Sequence, residues 1–268
     1  MAIYDCFQYF NEDHIVDLRM NILNEYVDYF VISESTKTHQ GKNKKLNFNN
    51  KNFRKFENKI IYIVADYDKE EEKFKHTGGE SLIEQHQRNN LANGLIRAND
   101  NDLVILSDSD EIPDLKKLNK IKSSTKYAAF SQMMFMYKIN LQNLEESNWI
   151  GSKICLKKNF PKPQTLRDLK FKNYQFWRID KYNQQIINGG WHFSFLQTPQ
   201  DISNKIKSYS HGEFNTAENT SEEKIKQKIL DGKDIYDRGF KLRKINIDGS
   251  FPDYVVDNQK SLKDWIVS

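Results

Sequence analysis

The sequence predicts an α/β fold built on a central sheet flanked by helices, and three observations carry that expectation. Four short apolar runs recur at residues 3–10, 27–32, 60–64 and 103–106. The last three are nearly continuous in apolar residues, the pattern of strands buried on both faces of a sheet. The segments between them carry helical spacing, and strand–helix alternation of this kind builds a sheet through right-handed crossovers.

The elements follow in order. After the first strand, Ile15, Leu18, Ile22 and Tyr26 share one stripe of a helical wheel, while Asp13, Asp17, Arg19 and Asn24 point elsewhere. Residues 49–57 bring Phe53 and Phe56 together, and residues 80–98 are proline-free and long enough for a helix, although their apolar positions scatter around the wheel. In the second half, residues 126–141 read as one long strand or two short ones, and 150–156 and 174–179 as further strands. Residues 185–195 carry a turn at Gly189-Gly190 and then an aromatic-rich strand. Thr198-Pro199-Gln200-Asp201 starts a helix, with Thr as N-cap, Pro at the first position and Asp reaching back to the cap, and Ile202, Ile206 and Tyr209 lie on one face. A last short helix is expected around Leu262, Trp265 and Ile266.

Composition narrows the function classes. Aromatic residues make up 13% of the 268, too many for a disordered chain. The 41 Lys and Arg against 37 Asp and Glu leave a net charge of +4 with the two signs interspersed, which gives no case for nucleic acid. Two distant cysteines, Cys6 and Cys155, exclude a disulfide scaffold and argue against a thiolate zinc site. The N-terminus has no signal-peptide pattern and no run approaches 18 apolar residues, so the expected compartment is a reducing cytoplasm with no transmembrane segment. With 5 Pro and 11 Gly and no internal repeat, a single domain over 1–268 is expected.

The chemistry concentrates at DLVILSDSDEIPD, residues 102–114. An apolar strand ends in Asp108-Ser109-Asp110-Glu111, and Pro113 blocks continuation of the ladder. Three carboxylates within four residues repel one another unless a cation or proton compensates them. At the carboxyl end of a buried strand such a cluster lies where ligands bind in open α/β sheets. Hard oxygen ligands favour Mg²⁺ or Mn²⁺, suited to bridging phosphate oxygens on a diphosphate leaving group. An EF-hand loop starting at Asp108 is excluded, because its sixth and twelfth positions are Pro113 and Asn119. An aspartyl phosphohydrolase of the haloacid-dehalogenase type, with Asp108 as nucleophile and Asp110 as acid/base, is the alternative enzyme. Its downstream acidic pair would have to be Asp248 and Asp253.

Five stretches in order resemble glycosyltransferase family 17. They are YDCFQYFNEDHIVDLRMNIL at 4–23, VDYFVISESTKTHQGKNKKLNF at 27–48, EQHQRNNLANGL at 84–95, LSDSDEIP at 106–113 and GGWHFSFLQTPQDISNKIKSYSHGEF at 189–214. The resemblance is to the shorter bacterial and viral members, and it implies a GT-A type nucleotide-diphospho-sugar transferase fold with a mixed, mainly parallel sheet. Residues 1–113 would form the nucleotide-sugar half, 114–220 the acceptor side and 221–268 a C-terminal extension. It further implies a UDP-sugar donor (UDP-GlcNAc in characterised members), Mn²⁺ or Mg²⁺, inversion at the anomeric carbon, and a glycan or lipid-linked saccharide acceptor in a bacterial or virus-infected cell. Lysine-rich segments would then serve a peripheral contact with anionic lipid.

Residue by residue, the resemblance makes Asp108 and Asp110 the DxD pair, with Asp110 on the metal and Asp108 between metal, ribose and donor sugar. Ser109 and Glu111 belong to the same cluster. His192 would complete the metal site, and Trp191 would stack on a sugar. Glu34, Ser35 and Thr38 would face the uracil and ribose, while Gln87 and Arg88 would meet the diphosphate or donor sugar, where a guanidinium offers bidentate geometry. An inverting transfer needs a carboxylate base. Glu213 is the first candidate, Asp168 and Glu111 the others, and His211 a weaker one. A protein that only binds nucleotide sugars or glycans is the non-enzymatic alternative.

Overall fold

The computed structural model describes residues 1–68, 76–77, 80–145, 148–171, 183–208 and 215–267. Strand β1 (Ile3–Tyr9), helix α1 (Asp13–Leu23), β2 (Tyr29–Ser35) and β3 (Ile60–Ala65) follow the apolar pattern of the first 65 residues, with a 3-10 stretch Asn50–Lys59 leading into β3. A small ribbon, β4 (His76–Thr77) and β5 (Glu80–Ser81), opens α2 (Leu82–Asn90), which Ser81 caps through its hydroxyl. The expected helix over 80–98 therefore splits into α2 and a 3-10 turn, Leu91–Leu95. Strand β6 (Leu103–Ser107) ends at the acidic turn, and β7 (Glu111–Pro113) follows it.

The second half supplies β8 (Tyr127–Met136), β9 (Leu141–Asn143), β10 (Trp149–Leu156) and α3 (Pro163–Asp168). It continues with β11 (Asn183–Ile186), β12 (Gly190–Ser194), α4 (Pro199–Ser208), α5 (Glu222–Leu230), β13 (Leu242–Lys244) and α6 (Asp253–Asp257). The run 126–141 is two strands, broken where Tyr137 takes a positive φ of 63°. Thr198 caps α4 as expected: its hydroxyl accepts from the Asp201 amide at 3.2 Å and donates to the Asp201 carboxylate at 2.6 Å. The strand expected at 174–179 and Tyr209 lie outside the described residues.

The sheet runs β13-β9-β8-β10-β6-β1-β2-β3. Strands β3, β2, β1 and β6 are mutually parallel. Strand β10 then runs antiparallel to both β6 and β8, while β11 and β12 lie parallel to β8 and β7 pairs antiparallel with β12. The expectation of a mainly parallel sheet is corrected to a mixed one. The physical reason is connection length: the link from β8 to β9 is too short for a crossover and makes an antiparallel neighbour.

A continuous apolar cluster joins Phe7 and Phe30 to Phe130, Phe193, Phe251 and Val255, so the last residues of the chain share the core of the first. Trp265 closes it, its carbonyl accepting from the Ile139 amide at 2.8 Å. Within α1, Arg19 is fully buried although its place on the wheel assigned it to solvent. No helix among the described residues is long and apolar enough to cross a membrane.

The C-terminal tail also buries a titratable group. His14 stacks on Trp265 with ring centroids 4.5 Å apart and its Nε2 donates to the Leu196 carbonyl. Burial pushes its pKa down to about 4, against opposing contributions from Asp201 and Asp13. The unfolded chain takes up this proton near pH 6.5. Stability is therefore full above that pH and falls as the pH drops toward 4, by on the order of 2–3 kcal/mol. Thermal unfolding across this range should show the decline in the wild-type protein and a flatter profile in His14→Phe.

Candidate active site at the carboxyl end of the parallel strands

Burial on both faces carries β6 to Ser107, and the chain then turns over the end of the sheet. Two buried groups hold that turn from below. Arg19 Nη1 donates to the carbonyls of Asp108, Ser109 and Glu111 at 3.2, 3.4 and 2.6 Å. The Ser152 hydroxyl, on β10, donates to the same Glu111 carbonyl at 2.9 Å.

The three carboxylates of the turn meet three different surroundings. Glu111 is fully buried; its oxygens accept from Trp149 Nε1 at 2.7 Å, from the Asp108 amide at 3.1 Å, and from Arg167 Nη1 at 3.0 and 2.9 Å. Asp108 accepts from Arg167 Nη2 at 2.7 Å and lies 3.5 Å from Arg88 Nη2. Burial alone would raise its pKa, but the Arg167 and Arg88 guanidiniums outweigh that and hold the carboxyl below its usual range. Asp110 faces His192 Nε2 at 3.5 Å and Lys205 Nζ at 3.8 Å. Against the upward push of burial, those two cations hold its carboxyl low, and Asp110 in turn lifts the His192 pKa that burial would depress.

Strand register brings His192 here. In the β7–β12 ladder His192 stands opposite Glu111 and Trp191 opposite Ile112, and the Phe193 amide donates to the Asp110 carbonyl at 2.9 Å. Alternation along β12 gives His192 to the cavity and Trp191 to the core. The close approach depends on Gly190, at φ +145°, where a Cβ would lie 2.2 Å from the Ile112 carbonyl oxygen. Gly190→Ala should cost more than about 2 kcal/mol and displace His192, seen as a lower Tm.

These groups open into a cavity of about 510 Å³ at the carboxyl ends of β1 and β6. Of the residues expected at the site, Gln87, Asp108, Ser109, Asp110, Glu111 and His192 line it. Gln87 joins the ends of β1 and β2, its Nε2 donating to the carbonyls of Tyr9 at 3.0 Å and Ser33 at 2.7 Å. Ser109 donates to Glu12 at 2.9 Å. Arg88 stands behind the wall, reaching Asp108, Glu84 and Gln164.

The other expected residues lie elsewhere. Glu34 turns into its own loop, where its carboxylate accepts from Lys44, from the amides of Asn47 and Phe48 at 2.7 and 3.0 Å, and from Tyr62 at 2.8 Å. The Ser35 hydroxyl accepts from the Lys37 amide and that of Thr38 from the Lys42 amide, so both close turns of that loop and neither lines the cavity. Trp191 is core, its indole donating to the Ser250 carbonyl at 2.9 Å. Asp168 is exposed and accepts from Gln164 Nε2 at 3.0 Å. Its neighbour Arg167 faces the cavity, since successive residues of a helix diverge by about 100°. Glu213 and His211 lie outside the described residues.

Several lining residues escaped the sequence reading: Arg167, Trp149, His39, Lys205, Phe195 and Tyr236. Phe195 holds a positive φ of 51°, and Asp237, next to Tyr236, one of 53°. Conformations of this kind concentrate at functional sites. The Phe195 and Tyr236 rings meet edge-on at 6.0 Å.

Among the described residues no group of three or more His, Cys, Asp or Glu converges as a metal cage. What converges is a pair, Asp110 with His192, whose Nδ1 is buried without a hydrogen-bond partner. A hard divalent ion is commonly held by one or two protein groups and completed by water and substrate phosphate. The pair fits such an ion, whereas Asp108 is turned to its two arginines.

Comparison with known proteins gives one decisive match. Residues 1–239 match the family model of glycosyltransferase family 17. No curated protein matches the chain. Among solved structures, the crystal structure of HddC from Yersinia pseudotuberculosis complexed with GMP-PN is similar at 9% identity, over 69% of this chain and 89% of that one, with a TM-score of 0.33.

Proposed function

The chain belongs to glycosyltransferase family 17, and from that premise we propose that it is a metal-dependent, inverting transferase moving GlcNAc from UDP-GlcNAc to a glycan or lipid-linked saccharide. That it is a glycosyltransferase follows from the family. The observation that supports the finer reading is the facing pair Asp110 and His192 in a cavity that also holds Arg167 and Lys205. When bound, Mn²⁺ or Mg²⁺ would supply positive charge to the diphosphate as the sugar–phosphate bond breaks, and Asp110 with His192 would hold it.

The remaining work falls to the chain's own groups. Arg167 and Lys205 bring a guanidinium and an ammonium to the same cavity, suited to diphosphate oxygens. Phe10, His39 and Gln87 take over from Glu34, Ser35 and Thr38 as the groups that meet the nucleoside. The acceptor hydroxyl attacks the anomeric carbon from the face opposite UDP. A carboxylate takes its proton, and UDP leaves with the bonding pair. We keep Glu213, the candidate the family resemblance puts first, as that carboxylate; the Glu111 oxygens are already held by Trp149, Arg167 and a backbone amide. The phosphohydrolase reading needs Asp108 as a free nucleophile, whereas two arginines hold it.

The test is release of UDP from UDP-GlcNAc, UDP-Glc and UDP-Gal, with Mn²⁺ or with EDTA. UDP-GlcNAc turnover that disappears in EDTA is expected. Full turnover in EDTA removes the metal from the account, and UDP binding without turnover against a broad acceptor panel supports the non-catalytic alternative.

A further inference from the structure

Beneath the acidic turn lies an ion pair that the donor chemistry does not itself use. Arg19, on α1, and Asp5, on β1, are both fully buried. Arg19 Nε and Nη2 donate to the two Asp5 oxygens at 2.7 and 2.6 Å. The remaining nitrogen, Nη1, reaches the carbonyls of Asp108, Ser109 and Glu111. The guanidinium also lies over the Phe7 ring, 4.8 Å from its centroid.

Stability alone gives weak reason to keep such a pair. Taking two charges out of water costs several kcal/mol each, and apolar replacements of similar volume are often neutral or stabilising. What apolar side chains cannot do is hold three carbonyls of one turn. Those bonds fix the peptide planes of residues 108–111, and with them the directions in which the Asp108 and Asp110 side chains leave the backbone. A lysine would pair with Asp5 but, as a point charge, could not span the carboxylate and the carbonyls together.

We propose that Arg19, oriented by Asp5, is a positioning residue that sets the acidic turn so that Asp110 meets a divalent cation and the donor diphosphate. This rests on reading the cavity as the donor site.

The test compares UDP affinity by calorimetry with Mn²⁺ and with EDTA, in the wild-type protein, in the double variant Asp5→Leu/Arg19→Met and in Arg19→Lys, with Arg19→Met alone as the reference for thermal stability. The double variant removes both charges and should unfold cooperatively, with a smaller loss of Tm than Arg19→Met alone. Its gain in UDP affinity from Mn²⁺ should nevertheless fall at least tenfold, and kcat with it, while affinity in EDTA stays within twofold. Arg19→Lys should show the same selective loss. Folded variants that keep the Mn²⁺-dependent gain within twofold overturn the proposal. So does failure of both variants to fold, which would make the pair structural alone. A wild-type protein whose UDP affinity ignores Mn²⁺ contradicts the donor-site reading itself, before any variant is compared.

Discussion

Asp110→Asn should lower transfer by about a thousandfold or more while leaving the thermal midpoint within a few degrees of wild type. The substitution keeps size and shape but removes the carboxylate that faces both His192 and Lys205. In the proposed reaction Asp110 acts on the leaving diphosphate, and a charge lost there is lost where it counts most, in the transition state. Stability changes little because the amide fills the same space, and the lost attraction to His192 and Lys205 is offset by removing a charge that burial disfavours. UDP release and thermal unfolding on the same preparation check both halves. A variant that retains a tenth of the wild-type rate would remove Asp110 from the chemistry.

Arg167→Met should be the most destabilising change in the cavity wall. Its guanidinium grips both oxygens of Glu111 and one of Asp108, and Glu111 is shielded from solvent. Removing one partner of a buried pair strands the other charge and typically costs about 3–5 kcal/mol. At roughly 2–4 °C per kcal/mol for a domain of this size, the midpoint should fall by about 6–20 °C. Glu111→Gln in the same chain should restore part of that loss, because the amide can still accept from Trp149 without carrying a charge. A double-mutant cycle should give a coupling above about 1 kcal/mol. Additive effects of the two substitutions would show that the contact is not energetically coupled.

Much of the parallel block was legible because strands buried on both faces leave continuous apolar runs. The acidic turn was legible because three clustered carboxylates are costly without a partner. The partner cations were not. Arg19 sits in a helix whose charged positions read as solvent-facing, and its contacts lie 14 to 92 residues away in sequence. Arg167 belongs to a six-residue helix with no periodicity of its own. Strand alternation makes Trp191 and His192 face opposite ways, but only the β7–β12 register tells which of them meets the acidic turn. The partners of Glu34 were hidden for a related reason: a carboxylate at a strand end looks available until the loop that follows folds back onto it.

The most direct measurement is thermal unfolding with UDP, GDP, CDP and UDP-GlcNAc, each with Mn²⁺ or EDTA. A ligand at a hundred times its Kd adds about 2.7 kcal/mol, which corresponds to about 5–10 °C here. A shift of that size is expected with the uridine nucleotides alone, cut to a small residual shift by EDTA and by Asp110→Asn. An equal shift in EDTA, or no shift with any nucleotide, would contradict a metal-assisted donor site built on Asp110 and His192.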